Sequence, residues 1–143
     1  MGSLVGSRVE RKEDKRFLTG KGRYTADINI TNQTYAVFVR SPHARAKIKK
    51  VDFSKASKAS GVVSILTGAD IVNDKIGGLI AGWRIKSEDG SDMKVPAHQP
   101  LASDSVNYVG DHVAVVIAES LDEARNAAEL VKVDYKVLKA VVN

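Results

Sequence analysis

The run VAVVIA, Val113–Ala118, is apolar at every position. A strand with one face in water alternates apolar and polar side chains, so an unbroken apolar run must be covered on both faces and belongs in the middle of a sheet. The next residues complete a unit. In SLDEARNAAELV, Ser120 and Glu123 have the spacing of a capping box, each satisfying a free backbone N–H of the other. Ala124, Ala127, Ala128 and Val131 then fall at i, i+3, i+4 and i+7, a single apolar stripe. Because the stripe is mostly alanine, the helix axis can approach a sheet closely. VKVDYKVL closes the unit as an alternating strand, with Val131, Val133, Tyr135 and Val137 on one face and Lys132, Asp134 and Lys136 on the other.

The rest of the chain supplies further strands. TYAVFVRS, Thr34 to Ser41, is rich in β-branched and aromatic residues and ends where Ser41-Pro42 interrupts hydrogen bonding. AKIKKVDF alternates imperfectly around Ile48, Val51 and Phe53, which predicts a half-exposed strand whose lysines discourage edge pairing. Ser54 is placed to cap a short helix, SKASKAS, ending at Gly61. VVSILTG reads as a compact buried strand and GADIVND as a helical turn. Residues 75–100 hold Gly77, Gly78, Gly82, Gly90, Pro96, Pro100 and the single tryptophan, Trp83, and read as an irregular surface excursion. VNYVGDHVAVVIAE predicts two strands hinged at Gly110. At the other end, Glu10–Tyr24 forms an arm with a helical turn over Glu13–Leu18, stopped at Gly20, in which Phe17 and Leu18 are the expected anchors. The predicted order is β-β-α-β-α, excursion, β-β-α-β. That is an α+β fold with a mixed sheet and packed helices, in one domain spanning residues 1–143.

Composition narrows the chemistry. There is no cysteine, which excludes disulfides, thiolate zinc, thiol nucleophiles and iron–sulfur ligation by this chain. The three histidines, His43, His98 and His112, are not spaced as ligands on one helix face. No apolar run approaches the ~20 residues of a membrane span, and a cytoplasmic chain with no membrane partner is the expectation. Gly2 follows Met1, but Gly6 stands where an N-myristoylation pattern wants Ser or Thr. The net charge of +5 is lopsided: residues 1–58 carry 14 Lys/Arg against 5 Asp/Glu, and residues 59–143 carry 8 against 12.

No catalytic constellation emerges. His43 sits in a proline corner, His98 lies between Pro96 and Pro100, and His112 follows the Gly110-Asp111 turn; all three read as structural. Glu13 and Asp14 diverge on a helix. Glu88, Asp89 and Asp92 lack the spacing of a calcium loop. The basic run is the remaining feature. Arg40, His43, Arg45, Lys47, Lys49 and Lys50 form a candidate docking surface, with Lys55 and Lys58 extending it. No nucleic-acid module accompanies the charge, and nucleic acid is not the expected partner.

Five blocks in order, RKEDKRFLTGKGRYTADI, VRSPHARAKI, GVVSILTGADI, VPAHQPLASDSVNYVGDHVAVVIAES and AAELVKVDYKVLKAVV, resemble the N-terminal domain of the large subunit of molybdenum hydroxylases, the xanthine oxidase family. Within that group they are most similar to the aerobic carbon-monoxide dehydrogenase branch, with xanthine dehydrogenase and aldehyde oxidase more distant. Arg45 stands where the family often has a second histidine. The resemblance implies an α/β hammerhead fold. It implies no cofactor in this chain, with molybdopterin, iron–sulfur and FAD centres in partner polypeptides: a molybdopterin-binding large-subunit polypeptide, an iron–sulfur subunit and a flavin subunit. In the family the large subunit continues well past the last block, so the expectation is a separately encoded or truncated domain that scaffolds an oxidoreductase and is not catalytic alone. A stand-alone binding module, using the basic face of residues 40–58 for an acidic ligand or nucleic acid, is the alternative.

Overall fold

A computed structural model describes residues 5, 6, 8 and 10–141; Gly2, of the N-myristoylation pattern, lies outside the described residues. The chain forms two compact units, Met1–Gln33 and Thr34–Asn143.

In the first unit, helix α1 spans Asp14–Leu18. Glu13 and Arg16 pair across one turn at 2.8 Å, and Gly20 ends the helix at φ +68°, a left-handed conformation that glycine adopts without a Cβ penalty. Phe17 stacks on Tyr24 with ring centroids 5.7 Å apart, closing the loop through Gly22. Of the two expected anchors, Phe17 thus packs on Tyr24, and Leu18 is 87% exposed.

The second unit contains β1 (Tyr35–Arg40), β2 (Ala46–Asp52), a 3-10 turn (Ala56–Lys58), β3 (Val62–Thr67), α2 (Gly68–Asn73), β4 (Ser105–Val106), β5 (His112–Ala118), α3 (Leu121–Leu130) and β6 (Lys132–Val137). They make two three-stranded sheets, ordered β1-β5-β3 and β4-β2-β6. Every pairing is antiparallel. The α+β class and hammerhead fold hold, but the expected mixed sheet is two antiparallel ones. The physical reason lies in β5. It is central, as its apolar run demands, yet burial on both faces requires only that each face be covered, and it does not dictate strand direction.

The cover on one face is α3. Ala124 and Ala127 are fully buried, and Ala127 and Val131 pack with Val116, Val39 and Ile65. Ser120 Oγ accepts the Glu123 N–H at 3.2 Å and donates to Glu123 Oε2 at 2.7 Å, so half of the expected capping box forms, the Glu123 carboxylate taking the Ser120 hydroxyl in place of its backbone N–H. The second sheet contributes Ala46 and Val106, which pack with Val113. The turn between β4 and β5 bends at Gly110 (φ +92°) and places two consecutive strands in different sheets. Ser41 holds that turn, donating to the Asp111 carbonyl and accepting from the Gly110 N–H, both at 2.8 Å.

β2 lies between β4 and β6 rather than at an edge. Its imperfect alternation has a local cause. Ile48 pairs with Tyr135 and Lys50 with Asp134, so Lys49 is an extra, bulged residue. The bulge returns Val51 to the side of Ile48, and both pack in the same cluster. Ser54 does not cap the following turn: its N–H donates to Asp52 Oδ1 at 3.1 Å.

Candidate functional site

One row across the three strands of the first sheet is fixed by register. Phe38, Val115 and Leu66 sit side by side across it. Because Val39, Val116 and Ile65 face α3, strand alternation turns Phe38, Val115 and Leu66 to the opposite face. α2 adds Ile71 there and Leu101 joins from just after the excursion, both clustering with Val115. Leu79 and Pro100 complete an apolar groove of about 340 Å³ that also touches His112. Phe38 is stacked on the His112 ring at 4.3 Å and carries the Arg40 guanidinium 6.0 Å from its centroid. The groove floor is buried, but Phe38, Leu66 and Leu79 remain 42%, 37% and 58% exposed.

Local bonds hold the rim. The Thr67 N–H and hydroxyl both donate to Asp70 Oδ2, at 2.7 and 2.8 Å, fixing the start of α2. The bonds from Thr67, backbone first, hold the Asp70 carboxyl below its ordinary range. The Leu79 N–H donates to the His98 carbonyl at 2.7 Å, and the Ala102 N–H to the His112 carbonyl at 2.7 Å. The two ends of the excursion are thereby tied to each other and to β5.

Beside them is a polar cluster. Asp111 is 3% exposed; its Oδ2 accepts the Asn107 N–H at 3.0 Å and its Oδ1 lies 3.6 Å from His98 Nε2. The Tyr108 hydroxyl is 3.3 Å from the same nitrogen. Burial, then the Asp111 charge, push Tyr108 above its usual range. A cavity of about 150 Å³ opens here, lined by His98, Gln99, Asp104 and Asp111, and Gln99 Oε1 is buried with no bonding partner. His98 thus docks the excursion onto the β4–β5 turn. Its flanking prolines gave no hint of this, because the partner lies across the turn. The buried Asp111 was likewise hidden beside Gly110.

The basic residues are divided between the two sheets, Arg40 on β1 and Lys47, Lys49 and Lys50 on β2. Arg40 ends β1 and donates to the Gly110 carbonyl at 3.2 Å, beside the apolar groove. The His43 ring meets Tyr135 edge-on at 5.0 Å; the His43 backbone N–H donates to Ser41 Oγ at 3.0 Å. Arg45, Lys47, Lys49 and Lys50 are exposed along β2 and the turn before it. Lys49 lies 3.9 Å from Asp134 and Lys50 3.8 Å from Asp52, so two of the charges have local counterparts. Asp92 pairs with Lys86, and Asp89 accepts from Ser91.

Among the described residues, no three His, Asp or Glu side chains converge to hold a metal. The polar cavity is about 150 Å³, below the roughly 300–1,000 Å³ of cofactor sites. The groove is large enough but offers an organic cofactor almost no polar anchor. Neither this cavity nor the groove fits a molybdopterin.

The sequence model of the family described as aldehyde oxidase and xanthine dehydrogenase, a/b hammerhead domain, matches residues 19–139. The nicotine 6-hydroxylase large subunit of Paenarthrobacter nicotinovorans is 40% identical over 141 residues, covering 99% of this chain and 16% of that protein. The carbon monoxide dehydrogenase large chain of Afipia carboxidovorans is 36% identical over 141 residues, covering 97% of this chain and 16% of that protein. Among solved structures, quinoline 2-oxidoreductase from Pseudomonas putida 86 superposes with a TM-score of 0.82 at 34% identity, over 95% of this chain and 16% of that one. A Cu,Mo-CO dehydrogenase gives a TM-score of 0.75 at 35% identity, over 96% and 16%. The chain therefore spans about a sixth of the length of the relatives it matches.

Proposed function

From the premise that this chain belongs to the aldehyde oxidase and xanthine dehydrogenase a/b hammerhead family, we propose that it is the non-catalytic scaffolding part of a molybdenum hydroxylase-type oxidoreductase. It docks onto a molybdopterin-binding large-subunit polypeptide, and the assembly includes iron–sulfur and flavin subunits in the cytoplasm. The assembled enzyme oxidises carbon monoxide, an aldehyde or an aza-aromatic compound, takes oxygen from water and passes electrons to the iron–sulfur and flavin centres. This chain covers a surface of the molybdenum-binding part and shapes the approach to a site held there.

The observation that carries the reading is the conjunction of near-complete coverage of this chain with coverage of only 16% of its relatives. Among the described residues no helix is long and apolar enough to cross a membrane.

The test is turnover by the purified chain. Nicotine, carbon monoxide and an aromatic aldehyde are each offered with an artificial electron acceptor, and bound molybdenum is measured by mass spectrometry. The expected result is no oxidation and no stoichiometric metal. Oxidation of any of the three by the isolated chain overturns the reading.

A further inference from the structure

The outer face of the β1-β5-β3 sheet carries an apolar groove with large apolar side chains exposed at its rim. Phe38 and Leu66 lie on it in register with Val115, and the groove between them is lined by carbon on nearly all sides. The excursion that borders it goes further. Leu79 lines the groove, and the residues beyond it present Ile80 at 90% exposure, Trp83 at 83% and Ile85 at 57%. Scattered exposed apolar residues are ordinary, but Phe38, Leu66 and Leu79, exposed around one groove, mark a contact surface, and Ile80 and Trp83 follow Leu79 closely in the chain. Tryptophan is also among the residues that anchor interfaces most strongly. Burying these side chains releases water from apolar surface at about 25 cal/mol per Å².

The lysine-rich strand offers less. Lys49 and Lys50 have carboxylates nearby, so a partner gains little by approaching them, and rim charges steer association more than they hold it. Arg40 differs, since its guanidinium borders Phe38 on the apolar face itself.

We infer that the molybdenum-binding polypeptide docks on this outer sheet face, with its apolar side chains filling the Phe38–Leu66–Leu79 groove, Ile80 and Trp83 entering its surface, and an acidic group meeting Arg40. The occupant is identified by length: the relatives that match 99% and 97% of this chain devote the greater part of their own chains to sequence beyond the matched segment. The inference rests on the scaffolding role proposed above and adds which face performs it. It moves the main contact away from the lysines of β2, which stay in water.

The test uses a relative as the probe. This chain is co-expressed with the nicotine 6-hydroxylase large subunit of Paenarthrobacter nicotinovorans from which the matching segment has been removed, and the complex is recovered by affinity tag and sized by gel filtration. The unaltered chain is expected to form the complex. Leu66→Glu and Ile80→Glu are each expected to reduce recovery about tenfold or more. Lys47→Glu combined with Lys49→Glu stays within about twofold. Ile80 is 90% exposed, so its variant reports on docking even where Leu66→Glu is impaired in folding; circular dichroism of each free variant separates the two. A 5-fluorotryptophan label reads out Trp83 alone in this chain, and its ¹⁹F resonance shifts on assembly. If the glutamate variants assemble normally, or the lysine reversals alone abolish assembly, the outer sheet face is not the docking face while the scaffolding role stands. If the unaltered chain forms no complex, the scaffolding role fails and this inference falls with it.

Discussion

Gly68 lies against the backbone of Ala102: a Cβ placed on Gly68 would overlap the Ala102 carbonyl oxygen. The contact joins the start of α2 to the segment that leads into β4, across more than thirty residues of chain. A backbone atom cannot swing aside as a side chain can, so the close approach is permitted only by glycine.

Gly68→Ala is therefore expected to destabilise the second unit by about 1–3 kcal/mol, the range for forced overpacking. Gly77→Ala is the comparison, because a Cβ there meets nothing within 4 Å. Thermal melts of the two variants check this; equal midpoints would refute the contact.

The carboxyl of Asp70 carries the second prediction. Bonds from Thr67 hold it below its ordinary value of 3.8. A depressed carboxyl binds fewer protons folded than unfolded, so its stabilisation is complete above that value and is lost as the pH falls through the folded value. Melting points taken from pH 6 down to pH 2.5 should fall more steeply for the unaltered chain than for Asp70→Asn. Parallel curves would show that the bonds contribute nothing.

Ser120 gives a third. Removing its hydroxyl leaves the Glu123 N–H without its side-chain acceptor at the start of α3. Ser120→Ala should cost about 1 kcal/mol, and Ser120→Asp should recover most of it. Denaturant titrations of the three proteins measure both steps.

Heparin retention provides a fourth. With Asp134 near Lys49 and Asp52 near Lys50, retention should be weak and lost at modest salt. Asp134→Asn should move elution to higher salt by a small, measurable step. Tight retention by the unaltered chain that declines steeply with salt would favour the binding-module alternative.

Much of this architecture was legible in the residues because each element carried its own period. The VAVVIA run required a covered strand, the alanine stripe a helix lying close to a sheet, and Lys132–Val137 a half-exposed strand. Sheet direction was not legible, since it depends on which distant strands become neighbours, and β5 pairs with β1 and β3 rather than with β4. The Lys49 bulge had a visible trace: two adjacent lysines between Ile48 and Val51 break the alternation that a regular strand would keep. The Thr67–Asp70 box also had the right spacing, but α2 is only six residues long and its pattern was too short to stand out. The apolar face was hidden for a different reason. Phe38 and Leu66 each look like ordinary strand residues, and only the shared register with Val115 reveals them as one surface.

The Gly110 bend has a mechanical corollary. Since β4 and β5 are consecutive in the chain but belong to separate sheets, the turn that Ser41 grips is a weld between the two halves of the unit. Pulling either sheet away would drag the other's backbone with it, so the pair should melt in a single transition, and a protease should find no half-unfolded intermediate to trim.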